Sequence, residues 1–284
     1  MAIALTRLDA PIGAMVEGLD LTRPLPDEDF AALRSALFAH QALVVRGQKF
    51  SPADHVRFTR RFGPLRASNM QAYTYAGAPE IFVVSNIKDG ERNIGVADAG
   101  LFWHSDGSFM PNPHGILALH ALEVPRDATG RARGDTLIAS TSAAWDALPE
   151  ATRRRLDGVR AVNTLKLRYQ KTVDSGVKTE VDTAAAPDDT TWAHPVGRPH
   201  NVTGRKCLYV NEGYTARLEG LPEDEARDLL AELLAHVTRP EFVYTHVWEP
   251  DDLLIWDNLA TQHRATIDYL LPQRRLMHRT TALL

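Results

Sequence analysis

Short apolar runs closed off by turn residues recur along the whole chain, and that rhythm limits the fold more than any other feature. Residues 42–46 (ALVVR), 81–85 (IFVVS), 115–122, 135–140 (DTLIAS), 207–211 (CLYVN), 242–248, 253–256 and 275–281 each read as a strand. Residues 3–8 and 14–16 add two more, separated by Pro11 and Gly13. Helical spacing is confined to a few places. Asp27 N-caps a helix with Phe30, Leu33, Leu37 and Phe38 on its apolar positions, and Ser51-Pro52 opens a second that Gly63-Pro64 stops. Short helical segments follow at 142–148 and 150–156, and residues 222–237 form an amphipathic helix with Leu229, Leu230, Leu233, Leu234 and Val237 on one side. Strands that outnumber helices at such short intervals predict a mainly β fold, an antiparallel barrel or double-sheet sandwich with appended helices. No GxGxxG or GxxxxGK[ST] follows a strand, so neither a doubly wound sheet nor nucleotide binding is expected.

Composition narrows the partners. A net charge of −4 over 284 residues gives no basic field for nucleic acid. No stretch approaches the roughly 18 to 20 apolar residues of a membrane helix, and the N-terminus lacks the pattern of a signal peptide. Cys207 is the single cysteine, which rules out a disulfide within the chain and favours a reducing, cytoplasmic setting; it reads as a buried small hydrophobe. The chain reads as one domain, residues 1–284. The polar, proline-containing span 172–199 is expected to be an insertion or lid, because strand-like sequence resumes directly after it.

The chemistry centres on residues 101–109, LFWHSDGSF, reached through a Gly- and Asp-rich loop at 86–99. In an extended run His104 and Asp106 lie on one face, so an imidazole and a carboxylate converge as two legs of a metal site. A third leg is offered by LLIWDNLATQHRATIDY, where a buried strand ends at Asp257-Asn258 and His263 follows. Two His and one carboxylate leave open positions opposite, the ligand set of non-haem Fe(II) oxygenases, although zinc hydrolases use a similar one. Arg279, in RRLMHRTT, presents a planar fork suited to a carboxylate. With a hydroxyl from Thr136 in GDT, it is placed to hold the far carboxylate of a dicarboxylate whose other end chelates the metal. Asp257 and Asn258 read as turn residues or as partners that orient ligands. Arg275 and His278 are expected on the opposite strand face, and His114 and His200 are expected to be structural or exposed.

The segments WHSD, GDT, YVNEGYTAR, WDNLATQHRAT and PQRRLMHRTT resemble those of the Fe(II)/2-oxoglutarate-dependent dioxygenases of the taurine dioxygenase and phenoxyacetate-herbicide dioxygenase (TauD/TfdA) family, in family order from about residue 42 to the C-terminus. The resemblance implies a double-stranded β-helix (jelly-roll) core, Fe(II) on His104, Asp106 and His263, and 2-oxoglutarate held by Thr136 and Arg279. It implies O2 as co-substrate and hydroxylation of a small, anionic organic molecule. Where the hydroxylated carbon carries a heteroatom, the product would collapse with C–heteroatom cleavage, as for a sulfonate, sulfate ester or aryloxyalkanoate. It also favours a homodimer or homotetramer. Taurine enzymes carry a His and a Tyr after the FG turn and an Asn before the HxD. Here Ser68 stands near the His position, Gln71 or Ala72 near the Tyr position, and Gly100 where the Asn would be. Tyr169 and Tyr214 match aromatic pocket positions, so the candidate substrate contacts are Ser68, Gly100, Tyr169 and Tyr214. Two other readings use the same residues: a zinc-dependent hydrolase, which leaves Arg279 and Thr136 idle, and a non-catalytic jelly-roll binding protein.

Overall fold

A computed structural model describes residues 3–68, 70–176 and 190–284. Its largest element is an eight-stranded sheet in the order Ala4–Arg7, Ala14–Glu17, Ala42–Val45, Leu253–Asp257, Ile116–Glu123, Leu276–Ala282, Ala78–Ser85 and Thr74–Tyr75. Neighbours run antiparallel except Ala14–Glu17 beside Ala42–Val45. A smaller sheet of Val243–His246, Thr136–Ser140 and Thr261–Ala265 contributes Ile138 to an apolar layer shared with Val44, Leu117, Leu119, Trp256 and Met277 of the large sheet. This is the expected double-sheet architecture.

The alternation of each central strand explains why it reads as unbroken apolar sequence. Leu254 and Trp256 enter the layer between the sheets, whereas Leu253 and Ile255 face outward onto Phe30, Leu33 and Leu37 of the helix Asp27–His40 and Phe58 of the helix Pro52–Arg60. Both faces are covered, so every position of Leu253–Asp257 is buried. Ser51 closes a capping box with Asp54 and Pro52 sits at the first turn, as the sequence predicts. The first helix differs: Pro26 occupies the cap and Asp27 begins the helix, where Asp27, Glu28 and Asp29 complement the positive end of the dipole. A third apolar cluster joins Leu229, Leu233 and Val237 of Glu223–Val237 to Trp145, Ala161, Leu208 and Leu218.

One helix that the sequence does not mark and one shifted strand are the main differences. Residues 165–174 form the helix Leu165–Asp174, opened by the Thr164 hydroxyl accepting from Lys166 N–H at 3.2 Å; its polar sequence hid it. The proposed lid at 172–199 is in its described parts the end of that helix and the strands Thr191–Pro195 and Gly197–Pro199, while residues 177–189 lie outside the described residues. The strand expected at 207–211 is Lys206–Leu208.

On the helix-covered face of the large sheet, three imidazoles are buried together. His55 Nε2 meets Thr280 Oγ1 at 2.9 Å, His120 stacks on Phe50 with ring centres 4.3 Å apart, and His278 lies against Tyr75. Burial and mutual repulsion keep them uncharged: His278 is pushed down to about 4, and His55 and His120 also fall below the ordinary imidazole value. In the unfolded chain each titrates near 6.5. The unfolded chain therefore binds more protons below that pH, so their contribution is full above about pH 6.5 and is lost as the pH falls toward 4. The urea midpoint should drop between pH 7 and pH 5, and His278→Phe should lessen the drop; a flat midpoint contradicts this.

Candidate active site

His104 and His263 are brought together by the backbone. His104 N–H donates to His263 O at 3.1 Å and His263 N–H to His104 O at 2.8 Å, an antiparallel bridge that joins the HxD run to the strand Thr261–Ala265. Their ring centres are 4.1 Å apart. His104 Nδ1 donates to Phe102 O at 2.8 Å, which fixes its tautomer and leaves Nε2 free, 3.5 Å from Asp106 Oδ1. The chain turns at Asp106, and Asn258 holds that turn. Its Oδ1 accepts from Asp106 N–H at 2.9 Å, and its Nδ2 donates to Asp106 O at 3.0 Å and to His114 O at 2.8 Å. One ligand atom from each of His104, Asp106 and His263 lies within 4.8 Å of the others, and all three residues are buried. The expected convergence is therefore present.

Charge suits the arrangement. Burial raises the Asp106 carboxyl, but Arg279 Nη1 at 2.8 Å and the two imidazoles outweigh it and hold it well below the usual carboxylate range. Burial, His104 and Arg279 hold the His263 imidazole well below its ordinary value. An ionised carboxylate and a neutral imidazole are the forms that bind metals. The donor set, two nitrogens and one oxygen with open positions opposite, fits Fe(II).

Around this centre lie two cavities that meet at Arg279. The narrower, about 40 Å³, is bordered by Gly100, His104, Thr136, His263, Arg275 and Arg279. Thr136 Oγ1 accepts from Trp248 Nε1–H at 3.1 Å, which frees its own proton for donation to an acceptor in the cavity. Arg275 is 2% exposed and makes no ion pair among the described residues; its Nη2 reaches only Gly134 O at 3.4 Å, and its Nε has no partner. Asn86 Oδ1 and the Ser85 hydroxyl hold its backbone from both sides. The wider cavity, about 180 Å³, is bordered by Ser68, Tyr169 and Tyr214 together with Arg66, His114 and Arg279. A larger surface groove beside Pro52–Arg60 holds none of these residues, and its arginines are already paired with Asp54, Glu80 and Asp27.

Several placements differ from the sequence reading. Arg275 shares the face of Arg279, four residues away; an even separation keeps strand parity, so alternation itself should have kept Arg275 in the site. Arg279 stands beside Asp106, at the metal-ligand end. Gly100 borders the narrower cavity, apart from Ser68, Tyr169 and Tyr214. Its φ is +87° and a Cβ would come within 3.2 Å of the Ala265 backbone nitrogen, so the position requires glycine for its backbone and offers the substrate no side chain. His200 is buried against Asp257 at 3.0 Å, and His114 borders the wider cavity. Asn258 is confirmed as a partner of the Asp106 turn. Asn258→Ala should cost about 2–3 kcal/mol in stability, because three buried hydrogen bonds are lost. It should also weaken metal binding by about 10- to 100-fold, measured by Fe(II) titration alongside thermal melts.

A facial His/Asp/His cluster between the sheets of a jelly roll, with a buried cationic cavity beside it, defines a class of oxygen-activating metalloenzymes. The model of the taurine catabolism dioxygenase TauD, TfdA family matches residues 4–281, and the chain belongs to that family. It is 33% identical over 282 residues to pentalenolactone F synthase of Streptomyces arenae, covering 96% of this chain and 93% of that one. It is also 33% identical over 296 residues to the alpha-ketoglutarate-dependent 2,4-dichlorophenoxyacetate dioxygenase of Cupriavidus pinatubonensis, covering 100% and 98%. A taurine dioxygenase structure from Burkholderia xenovorans superposes with a TM-score of 0.82 at 29% identity, over 100% of this chain and 90% of that one. AAD-2 in complex with Mn(II) and N-oxalylglycine gives 0.81 at 28% identity, over 100% and 97%. The protein is an Fe(II)- and 2-oxoglutarate-dependent dioxygenase with a jelly-roll core. The hydrolase and binding-protein readings fall away.

Proposed function

We propose that the enzyme hydroxylates a small organic acid with an apolar body, with C–heteroatom cleavage where the attacked carbon carries oxygen or sulfur. His104, Asp106 and His263 would hold Fe(II). Thr136 and Arg275, rather than Thr136 and Arg279, would hold the far carboxylate of 2-oxoglutarate. The observation that carries this is Arg275: a fully buried guanidinium with no carboxylate partner among the described residues, beside a hydroxyl free to donate. An uncompensated buried charge is costly, and a dicarboxylate would neutralise it. When bound, Fe(II) and 2-oxoglutarate couple O2 reduction and decarboxylation to succinate and CO2 with insertion of one oxygen into a substrate C–H bond. This chain's residues do the positioning: Asn258 fixes the Asp106 turn, Phe102 O sets the His104 tautomer, and Arg279 keeps Asp106 ionised.

The wider cavity supports the substrate class, since Phe82, Phe109, Met70 and Leu165 supply an apolar wall and arginines a cationic rim. The relatives named for 2,4-dichlorophenoxyacetate and (S)-phenoxypropionate fit the same description. Succinate formation against a panel of aryloxyalkanoates, sulfonates, sulfate esters and their uncharged esters tests it. Stimulation by acids with apolar bodies is expected, and stimulation by uncharged compounds alone would refute it. The same reading takes residues 1–284 as one dioxygenase domain, in line with the family match. It takes the chain as a homodimer or homotetramer, which light scattering tests. A cytoplasmic setting fits free, buried Cys207, and among the described residues no helix is long and apolar enough to cross a membrane.

A further inference from the structure

Arg275 borders the narrower cavity, but two residues that pack against its guanidinium do not. Gly134 O accepts from Arg275 Nη2 at 3.4 Å, and the Tyr269 ring centre lies 5.8 Å from the guanidinium carbon, within reach of a cation–π contact. The three fit closely. Gly134 has a φ of +78°, and a Cβ there would stand 2.9 Å from the Tyr269 ring and 3.3 Å from Arg275 Nε. Gly134 is itself fixed: its N–H donates to Asp268 Oδ1 at 2.8 Å, and Arg133 pairs with Asp268 at 3.3 Å and with Asp127 at 2.8 Å.

Residues 266–275, between the strands Thr261–Ala265 and Leu276–Ala282, are organised around this contact. Tyr269 is 5% exposed, while its neighbours Leu270 and Leu271 are 78% and 50% exposed. Apolar burial alone would put the leucines inside and leave the tyrosine at the surface. Here the aromatic ring goes in, against a cation, and the leucines go out. Thr136 lies two residues from Gly134, so one short segment places a hydroxyl at the cavity and a glycine behind the guanidinium. We propose that Tyr269 is a positioning residue for Arg275: its ring and Gly134 form a wall that stops the guanidinium from withdrawing, and so fix the length of diacid the cavity accepts. This rests on the reading that Arg275 holds the far carboxylate of 2-oxoglutarate. With the wall in place the five-carbon 2-oxo diacid fits and its six-carbon homologue, 2-oxoadipate, is rejected. Without it the arginine yields by the one methylene that separates them.

Calorimetric titration of 2-oxoglutarate and 2-oxoadipate into the anaerobic Fe(II)-loaded protein tests it. The unaltered protein should favour 2-oxoglutarate by about tenfold or more, the scale of one methylene in a closed pocket. Tyr269→Phe keeps the ring and should keep that ratio, whereas Tyr269→Ala and Tyr269→Leu should remove most of it. A general loss of stability weakens both acids alike, so the ratio separates a wall from a merely structural ring. Thermal melts identify any variant that fails to fold, and Tyr269→Leu, which keeps an apolar side chain in place, carries the test if Tyr269→Ala does. Arg275→Gln should weaken both acids. If it does, an unchanged ratio in Tyr269→Leu, or no preference in the unaltered protein, overturns the assignment while the Arg275 reading stands. If Arg275→Gln binds 2-oxoglutarate as tightly as the unaltered protein, both fall.

Discussion

His104→Ala is expected to reduce succinate formation to background, a fall of about a thousandfold or more, equivalent to roughly 4 kcal/mol at tenfold per 1.36 kcal/mol. The size follows from what the side chain does. Its Nε2 is one of three converging donors, and its backbone forms the bridge that sets His263 opposite it. The substitution leaves the bridge and removes the donor, so the fold should survive. Thermal melting close to that of the parent, together with lost Fe(II) binding, separates a missing ligand from a misfolded protein. Turnover within tenfold of the parent would mean that the metal sits elsewhere.

Arg275→Gln should raise the KM for 2-oxoglutarate by about a hundredfold or more. A buried guanidinium meeting a carboxylate makes charge-assisted hydrogen bonds of about 1.5–3 kcal/mol each, and truncation also leaves the carboxylate facing a site with no cation. Fe(II) affinity should change little, because Arg275 touches none of the three converging side chains. The apo protein is expected to become more stable, since an unpaired buried charge is relieved. Arg279→Gln should behave differently: it removes the partner of Asp106 and should weaken Fe(II) binding itself. Titrations of Fe(II) and of 2-oxoglutarate in both variants check this. An unchanged KM for 2-oxoglutarate in Arg275→Gln would return the far-carboxylate role to Arg279.

Most of the sheet was legible because each strand is short, apolar and punctuated by Gly, Pro or Asx. The helix Leu165–Asp174 was not, because Thr172 is its one buried side chain, so it carries no strong apolar stripe. The convergence of His104, Asp106 and His263 came from motif chemistry. Sequence could not give the bridge that aligns the two histidines, which joins residues 159 positions apart. Arg275 was within reach, since strand parity alone assigns it to the face of Arg279. Arg66 and His114 were not. Nothing local marks either one, and only the pairing of the 64–66 segment with the last strand brings Arg66 to the cavity.

The most direct test of the central claim is anaerobic titration of the Fe(II)-loaded protein with 2-oxoglutarate, followed by visible absorption. The account predicts the weak charge-transfer band of a chelated keto acid, absent in His104→Ala and displaced to far higher 2-oxoglutarate concentration in Arg275→Gln. Bound iron with no band at saturating 2-oxoglutarate would contradict it.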